Sequence, residues 1–300
     1  MQPVLDSTNA MTARLILNAD DFGLTPGINR AIGELHSAGV LTSATLMATG
    51  PAFDDAVAVA RAHPTLGVGC HIVLTDGTPV SPRESISSLL GPDGRSFRPS
   101  LPDFLQALFR GHIQPDEVAR EALAQIEKLQ HAGVVITHFD THKHTHLFPT
   151  IARLLLEVAE RTSIRAVRNP FEPRWSLALT HGSGLRRLGI GLLGGLRSRF
   201  AALPQLCNGS IVTTDGTIAI SATGQLDSAS LAQALAALPP QGTYELCCHP
   251  GYNDSDLDRV TTRLRAHRDL ERAALLSEVP KALRRTDAPL LIHYGNLGAT

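Results

Sequence analysis

The segment 137–146 reads Thr-His-Phe-Asp-Thr-His-Lys-His-Thr-His, crowding His138, His142, His144 and His146 around Asp140, in a chain of 300 residues with 13 histidines. It directly follows the apolar run Val134-Val135-Ile136. A buried strand that delivers neutral imidazoles to one spot suits a divalent metal better than it suits a core. Asp20-Asp21 stands at the end of a second apolar strand, Leu15-Ile16-Leu17. His71 lies between Gly69-Cys70 and Ile72-Val73, and His249 opens Pro250-Gly251 after the strand pattern 244–248. A catalytic metal needs a few protein ligands and an open position. Asp21, His71 and His142 would supply one carboxylate and two imidazoles. Asp20 would then act as general base on water, and His249, of a type that titrates near neutrality, as general acid for the leaving group. These types and spacings point to a metal-dependent hydrolase.

Two geometric conditions apply. Neighbours on a strand face opposite ways, so Asp20 and Asp21 share a site only if the chain turns, and Phe22-Gly23 is expected to permit that turn. Alternation would also stack His138, Asp140, His142, His144 and His146 on one side. The chain is therefore expected to turn near Thr141, with His142 on the metal. Asp140, His144, His146 and Arg168 are expected to line the site or support its ligands from behind.

The elements that must hold these residues recur as apolar strands at 15–18, 41–47, 67–74, 134–139, 164–167, 244–248 and 290–294. Helical periodicity lies between them, most plainly over 115–132, where Val118, Ala122, Ile126 and Leu129 share a face, Pro115 suits the first turn and Gly133 suits the position after the last. Strand–helix repetition implies an α/β fold, a parallel sheet with helices outside and chemistry at the carboxyl ends of strands. All the singled-out acids and histidines fall near such ends. We expect a loose tail over 1–12, with Met11 an alternative start, and one catalytic barrel domain over 13–300. The region 79–102, rich in Ser, Pro and Gly, reads as an excursion or lid. The Leu- and Gly-rich segment 185–203, bracketed by Arg186, Arg187, Arg197 and Arg199, reads either as a packing element or as a basic apolar surface for a membrane or lipid-like substrate.

Composition narrows the classes. A hydrophobic content of 43% supports a large core, and 18% charged residues with a net charge of −1 give no basis for nucleic-acid binding. Cys70, Cys207, Cys247 and Cys248 lack CxxC spacing and are expected to be buried, reduced thiols of a cytoplasmic protein. No signal peptide or membrane-spanning run is expected. Peripheral membrane contact and a homodimer are left open.

Taken in order, these motifs resemble the YdjC/ChbG-like carbohydrate deacetylases. The resemblance rests on Asn18-Ala19-Asp20-Asp21-Phe22-Gly23-Leu24, Pro26-Gly27-Ile28-Asn29, Leu41-Thr42-Ser43, Gly69-Cys70-His71-Ile72-Val73-Leu74-Thr75, Thr137 through His144, and Cys248-His249-Pro250-Gly251. It implies a deformed (β/α) barrel of the polysaccharide-deacetylase type that hydrolyses the N-acetyl group of an amino sugar with one divalent metal, usually magnesium. It also implies Asp21, His71 and His142 as ligands and Asp20 as base. Two imidazoles suit zinc better than magnesium, so the metal stays open. The text of 50–56 and 164–168 looks most like the hopanoid-biosynthesis-associated members, which implies a lipid-linked sugar. Thr141 and Lys143 depart from the usual Ser and Gln or His.

Two rival readings use the same residues. A metal phosphoesterase would want a basic clamp, for which Arg165 and Arg168 are available. A non-catalytic sugar- or lipid-binding barrel would have no use for a base beside a metal.

Overall fold

A computed structural model describes residues 12–179, 189 and 191–297. Its centre is β1 (Arg14–Phe22), in which every residue after Arg14 is buried. Such a strand must be covered on both faces, as parallel sheets are. β1 pairs in parallel with β2 (Ser43–Leu46) and with β8 (Thr243–Cys248). β3 (Gly67–Ile72), β4 (Ile136–Thr141), β5 (Ala166–Val167) and β6 (Val212–Thr213) extend one side, and β7 (Gly216–Ile218) the other. A short β9 (Leu290–Leu291) also pairs with β1. Among the described residues these nine strands form one sheet, eight of them in the order β6-β5-β4-β3-β2-β1-β8-β7 with β9 off that path beside β1. Its outermost strands, β6 and β7, are joined by Thr214 and Asp215 alone, so the sheet must curl until its edges meet. That is a barrel with an unpaired seam, the deformed (β/α) barrel expected from the sequence.

The helices lie outside. The main apolar core packs Leu15, Leu17 and Ala19 of β1 against Ile28 and Ile32 of α1 (Pro26–Ser37), and extends over α2 (Phe53–Ala62), α3 (Leu101–Phe109), α4 (Pro115–His131) and α5 (Pro149–Arg161). The inward faces of the strands are mostly polar: Asn18, Asp20, Thr45, His71, His138, Asp140, Thr217 and Glu245 are all buried. A small apolar plug of Ile16, Ala166 and Tyr294 closes the interior beneath them.

Several expectations shift. Strand β4 begins at Ile136, and Val135 is 84% exposed because it precedes the sheet's edge, where no helix covers it. The last strand stops at Leu291, and Tyr294 instead turns inward to plug the barrel. β6 and β7, too short to show a period, were not expected. α4 ends as read, with Gly133 at φ +80. Cys207 is exposed, whereas the other three thiols are buried and all four are free. Most of the loose tail, 1–11, lies outside the described residues, as do Arg186, Arg187 and most of 180–190. Arg197 and Arg199 lie on a short helix, Arg197–Ala201.

The excursion is anchored to α4 rather than hinged. Glu117, Glu121 and Gln125 recur every fourth residue along one face of that helix. Glu117 accepts from Ser88 N at 2.7 Å, Glu121 accepts from Val80 N and Ser81 N at 2.9 Å, and Gln125 bonds both backbone groups of Val73. Ile86, Leu89 and Phe97 are buried in the main core. Among the described residues no helix is long and apolar enough to cross a membrane.

Candidate active site

The two adjacent aspartates reach one site because the backbone turns at Asp21 itself. Its φ is +63, and the β1–β2 register slips between Ala19 and Phe22. Aspartate is among the few side chains that tolerate this left-handed conformation, and such residues cluster at functional sites. The turn therefore begins at Asp21, and Gly23, at φ +93, continues it as expected. Asn29 of α1 fixes the chain beyond it, accepting from Gly23 N at 2.7 Å and donating to Ala52 O and Asp55.

At the carboxyl end of β4 the chain also turns as expected. His142 opens a short 3-10 segment in which Lys143 and His144 take φ of 55 and 52. This swings His142 to Asp21, with Nδ1 3.6 Å from Asp21 Oδ1, while His71 Nε2 lies 3.7 Å from the same oxygen. Both separations are too long for hydrogen bonds. The donor atoms of Asp21, His71 and His142 all lie within 4.8 Å of one another. His71 Nδ1 is bonded to Asp140 Oδ1 at 2.7 Å, which leaves Nε2 as the atom that faces the cluster.

Behind this cluster lies a buried charge network. Arg168, wholly buried, pairs with Asp20 at 2.6 Å, Asp140 at 2.5 Å and Glu245 at 2.5 Å. Glu245 also accepts from Thr217 at 3.0 Å and from the Tyr294 hydroxyl. Arg268, also wholly buried, bonds Asp21 Oδ2 at 2.6 Å. Four carboxylates, those of Asp20, Asp21, Asp140 and Glu245, thus face two guanidinium groups. With all four ionised and the imidazoles neutral, the carboxylates outnumber the guanidinium groups by two, and burial answers part of this by raising the Glu245 carboxyl; the rest is costly in a buried site unless cations join it.

This charge balance sets how the groups titrate. Burial raises the carboxyls of Asp20 and Asp21, but Arg168 and Arg268 respectively outweigh it and hold both well below the usual range. Burial disfavours the charged form of His71, yet Asp140, Asp20 and Asp21 overcome it and lift the ring to about 9. The site thus draws a cation, and a proton on His71 or a metal at Nε2 would answer it. The three-atom donor cluster, its non-bonded separations and the surplus charge fit a divalent ion.

His249 Nε2 lies 3.8 Å from Asp20 Oδ2, and its backbone N–H donates to Glu271 at 2.5 Å. Acid and base candidates are therefore neighbours, both buried beside the ligand cluster. The remaining histidines divide. His146 bonds Thr141 and the backbone oxygen of Arg168, and so braces the turn. His138 points into the barrel, stacked on Tyr294 with ring centroids 3.8 Å apart, in space that a Cβ at Gly69 would occupy. His144 is held neutral by burial and Arg168, down to about 3. Arg165 is exposed and Arg168 is fully engaged by carboxylates, so no phosphate clamp is assembled from this pair. Arg268, Glu271, Glu245 and Tyr294 were not singled out from sequence. Only Glu245, an acid inside the apolar strand Thr243–Cys248, carried a signal there.

A cleft of about 620 Å³ opens beside the site, lined by Leu24, Met47, Pro51, Asp76, Phe97 and Val260 among others. Asp76 of its lining pairs at 2.7 Å with Lys143, the residue that follows His142 in the chain, and so ties the cleft wall to the ligand-bearing turn.

Fold and site together define a parallel (β/α) barrel with a buried carboxylate–imidazole pocket at the carboxyl edge of its strands. The chain belongs to the YdjC-like protein family, whose model matches residues 14–285. It is 44% identical over 158 residues to a carbohydrate deacetylase of Brevibacillus brevis, covering 53% of this chain and 60% of that one. A carbohydrate deacetylase of Geobacillus stearothermophilus is 41% identical over 51% of this chain and 59% of its own. These matches span under two thirds of the relatives' length. A solved Enterococcus faecalis structure, described as a cellobiose-phosphate cleavage protein, superposes with a TM-score of 0.74 at 26% identity, covering 95% of this chain and 99% of that one. A lactam utilization protein of Thermus thermophilus shares the fold at a TM-score of 0.51 and 13% identity, over 94% and 99% of the two chains.

Proposed function

We propose that the protein is a metal-dependent deacetylase that hydrolyses the N-acetyl group of an amino sugar. The observation that carries this reading is the convergence of Asp21, His71 and His142 on one point, with Asp20 and His249 alongside. The carbohydrate deacetylases among the relatives supply the substrate class.

Asp21, His71 and His142 would hold one divalent ion, and two nitrogen donors favour zinc-like ions over magnesium. When bound, such an ion supplies Lewis acidity toward water and an amide carbonyl. The protein's own groups move the protons. Asp20, kept ionised by Arg168, takes the proton from the attacking water. His249 gives a proton to the amide nitrogen as the C–N bond breaks, releasing acetate and the free amine. Arg168 holds Asp20 by two bonds, at 2.8 and 2.6 Å, which fixes the base beside the Asp21–His71–His142 cluster. The neighbouring cleft gives room for whatever the sugar is attached to, and a lipid-linked sugar of the hopanoid type is the finer form of this reading.

Acetate release is the test, with N-acetylglucosamine as free sugar, as disaccharide and in lipid-linked form, each with added Zn²⁺ or Mg²⁺ and with chelator. Chelator-sensitive release is the expected result. No release from any compound by protein that has bound metal would overturn the proposal.

A further inference from the structure

Asp20 and Asp21 are chain neighbours, yet each is held by its own buried arginine. Arg168 sits at the end of a strand, where an inward residue is expected. Arg268 comes from the first turn of the long helix Ala266–Leu283, 247 residues from Asp21. Its guanidinium is wholly buried, with Nη2 2.6 Å from Asp21 Oδ2 and Nε donating to Leu264 O at 3.0 Å. Nη1 lies 3.5 Å from His249 O, and Arg268 O accepts from Gly251 N at 3.2 Å. The same helix turn carries Glu271, which holds the His249 backbone. A Cβ at Gly251 would lie 3.0 Å from Arg268 Cδ, so the glycine leaves room for the arginine stem.

The two oxygens of Asp21 therefore differ. Oδ1 faces His71 and His142, and Oδ2 is occupied by Arg268. We infer that Arg268 is a positioning residue that restricts Asp21 to a single oxygen toward the metal and thereby keeps one coordination position open for substrate or water. This rests on the reading of Asp21, His71 and His142 as ligands. The restriction matters because a free carboxylate readily offers both oxygens to a divalent ion, whereas hydrolysis needs an open position. Arg268 also cancels the charge of Asp21, so the ion would lose less of its electrophilicity to its ligand.

The test uses the full chain loaded with Co²⁺, whose visible absorption weakens as coordination number rises, together with kinetics on an N-acetylated sugar that the wild type turns over. Arg268→Met is expected to retain Co²⁺ and lose visible intensity, with kcat reduced on the order of 10- to 100-fold and KM little changed. Arg268→Lys should restore part of both. Gly251→Ala, whose Cβ would crowd the Arg268 stem and Ile28 Cγ1 at 3.0 Å each, should shift both in the same direction as Arg268→Met and serves if that variant folds poorly. A wild-type spectrum and wild-type kcat in Arg268→Met would overturn the inference, as would loss of cobalt and of thermal stability together in both substitutions. If the wild type itself takes up no Co²⁺, the reading of the site fails, which is a different outcome.

Discussion

Asp140 Oδ1 lies 2.7 Å from His71 Nδ1, and this bond determines which ring nitrogen of His71 faces Asp21. A ligating imidazole is usually oriented this way, since a carboxylate on the far nitrogen fixes the tautomer and raises donor strength. Asp140→Asn keeps the shape and removes the charge, so metal affinity should fall roughly 10- to 100-fold. A competition titration against a chromophoric chelator measures it. Unchanged affinity would mean that Asp140 serves Arg168 and not His71.

The same pair shapes the response to pH. His138 and His146 are held neutral by burial, well below 6.5, so the unfolded chain takes up protons first as the medium is acidified. Stability from these two is complete above about 6.5 and is lost as pH falls, by up to about 1.4 kcal/mol per pH unit for each. His71 behaves oppositely in the metal-free protein. Its folded value of about 9 means that its contribution is complete below 6.5 and is lost as pH rises toward 9, roughly 3 kcal/mol in all. Chelated protein should thus show a stability maximum near pH 6.5 in urea titrations. A metal at Nε2 requires the neutral ring, so metal-loaded protein should hold its stability up to pH 9. Identical alkaline limbs with and without metal would exclude His71 as a ligand.

Sequence alone conveyed the strand ends and their chemistry, because acids and imidazoles in apolar runs are conspicuous. It did not convey how the chain bends at Asp21, since an αL aspartate looks like any other in a string of residues. Nor could it assign the histidines: alternation put His138 and Asp140 on one face, which holds, but left open that Tyr294 would claim His138. The deepest omission is the helix Ala266–Leu283. Arg268 and Glu271 lie in a stretch, His-Arg-Asp-Leu-Glu-Arg, that reads as a solvated helix face. Only the tertiary fold, which closes the barrel over 247 residues of separation, buries them against Asp21 and His249.

Glu121 offers a test of the excursion. Glu121→Ala would leave Val80 N and Ser81 N without their acceptor and take one partner from Gln125. A buried donor left unpaired costs about 1–3 kcal/mol, so global stability should drop by a few kcal/mol. Cleavage by a nonspecific protease should concentrate in 79–99. Loss of stability without new cleavage there would show that the buried Ile86, Leu89 and Phe97 hold the segment unaided.

The division of labour between the two aspartates can be separated by experiment. Among the described residues Asp20 accepts two bonds from Arg168 and one each from Asn18, Thr45 and Cys247, and it is not needed for the Asp21–His71–His142 cluster. Asp20→Asn removes the proton acceptor while Arg168 keeps Asp140 and Glu245 as partners. Metal content should stay at the wild-type level while kcat falls about 10²- to 10⁴-fold. His142→Ala should instead lose metal and turnover together. The difference between the two is the decisive quantity: if Asp20→Asn also loses its metal, Asp20 is a ligand, and the proton would have to go to another group, for which His249, with Nε2 3.8 Å from Asp20 Oδ2, is available.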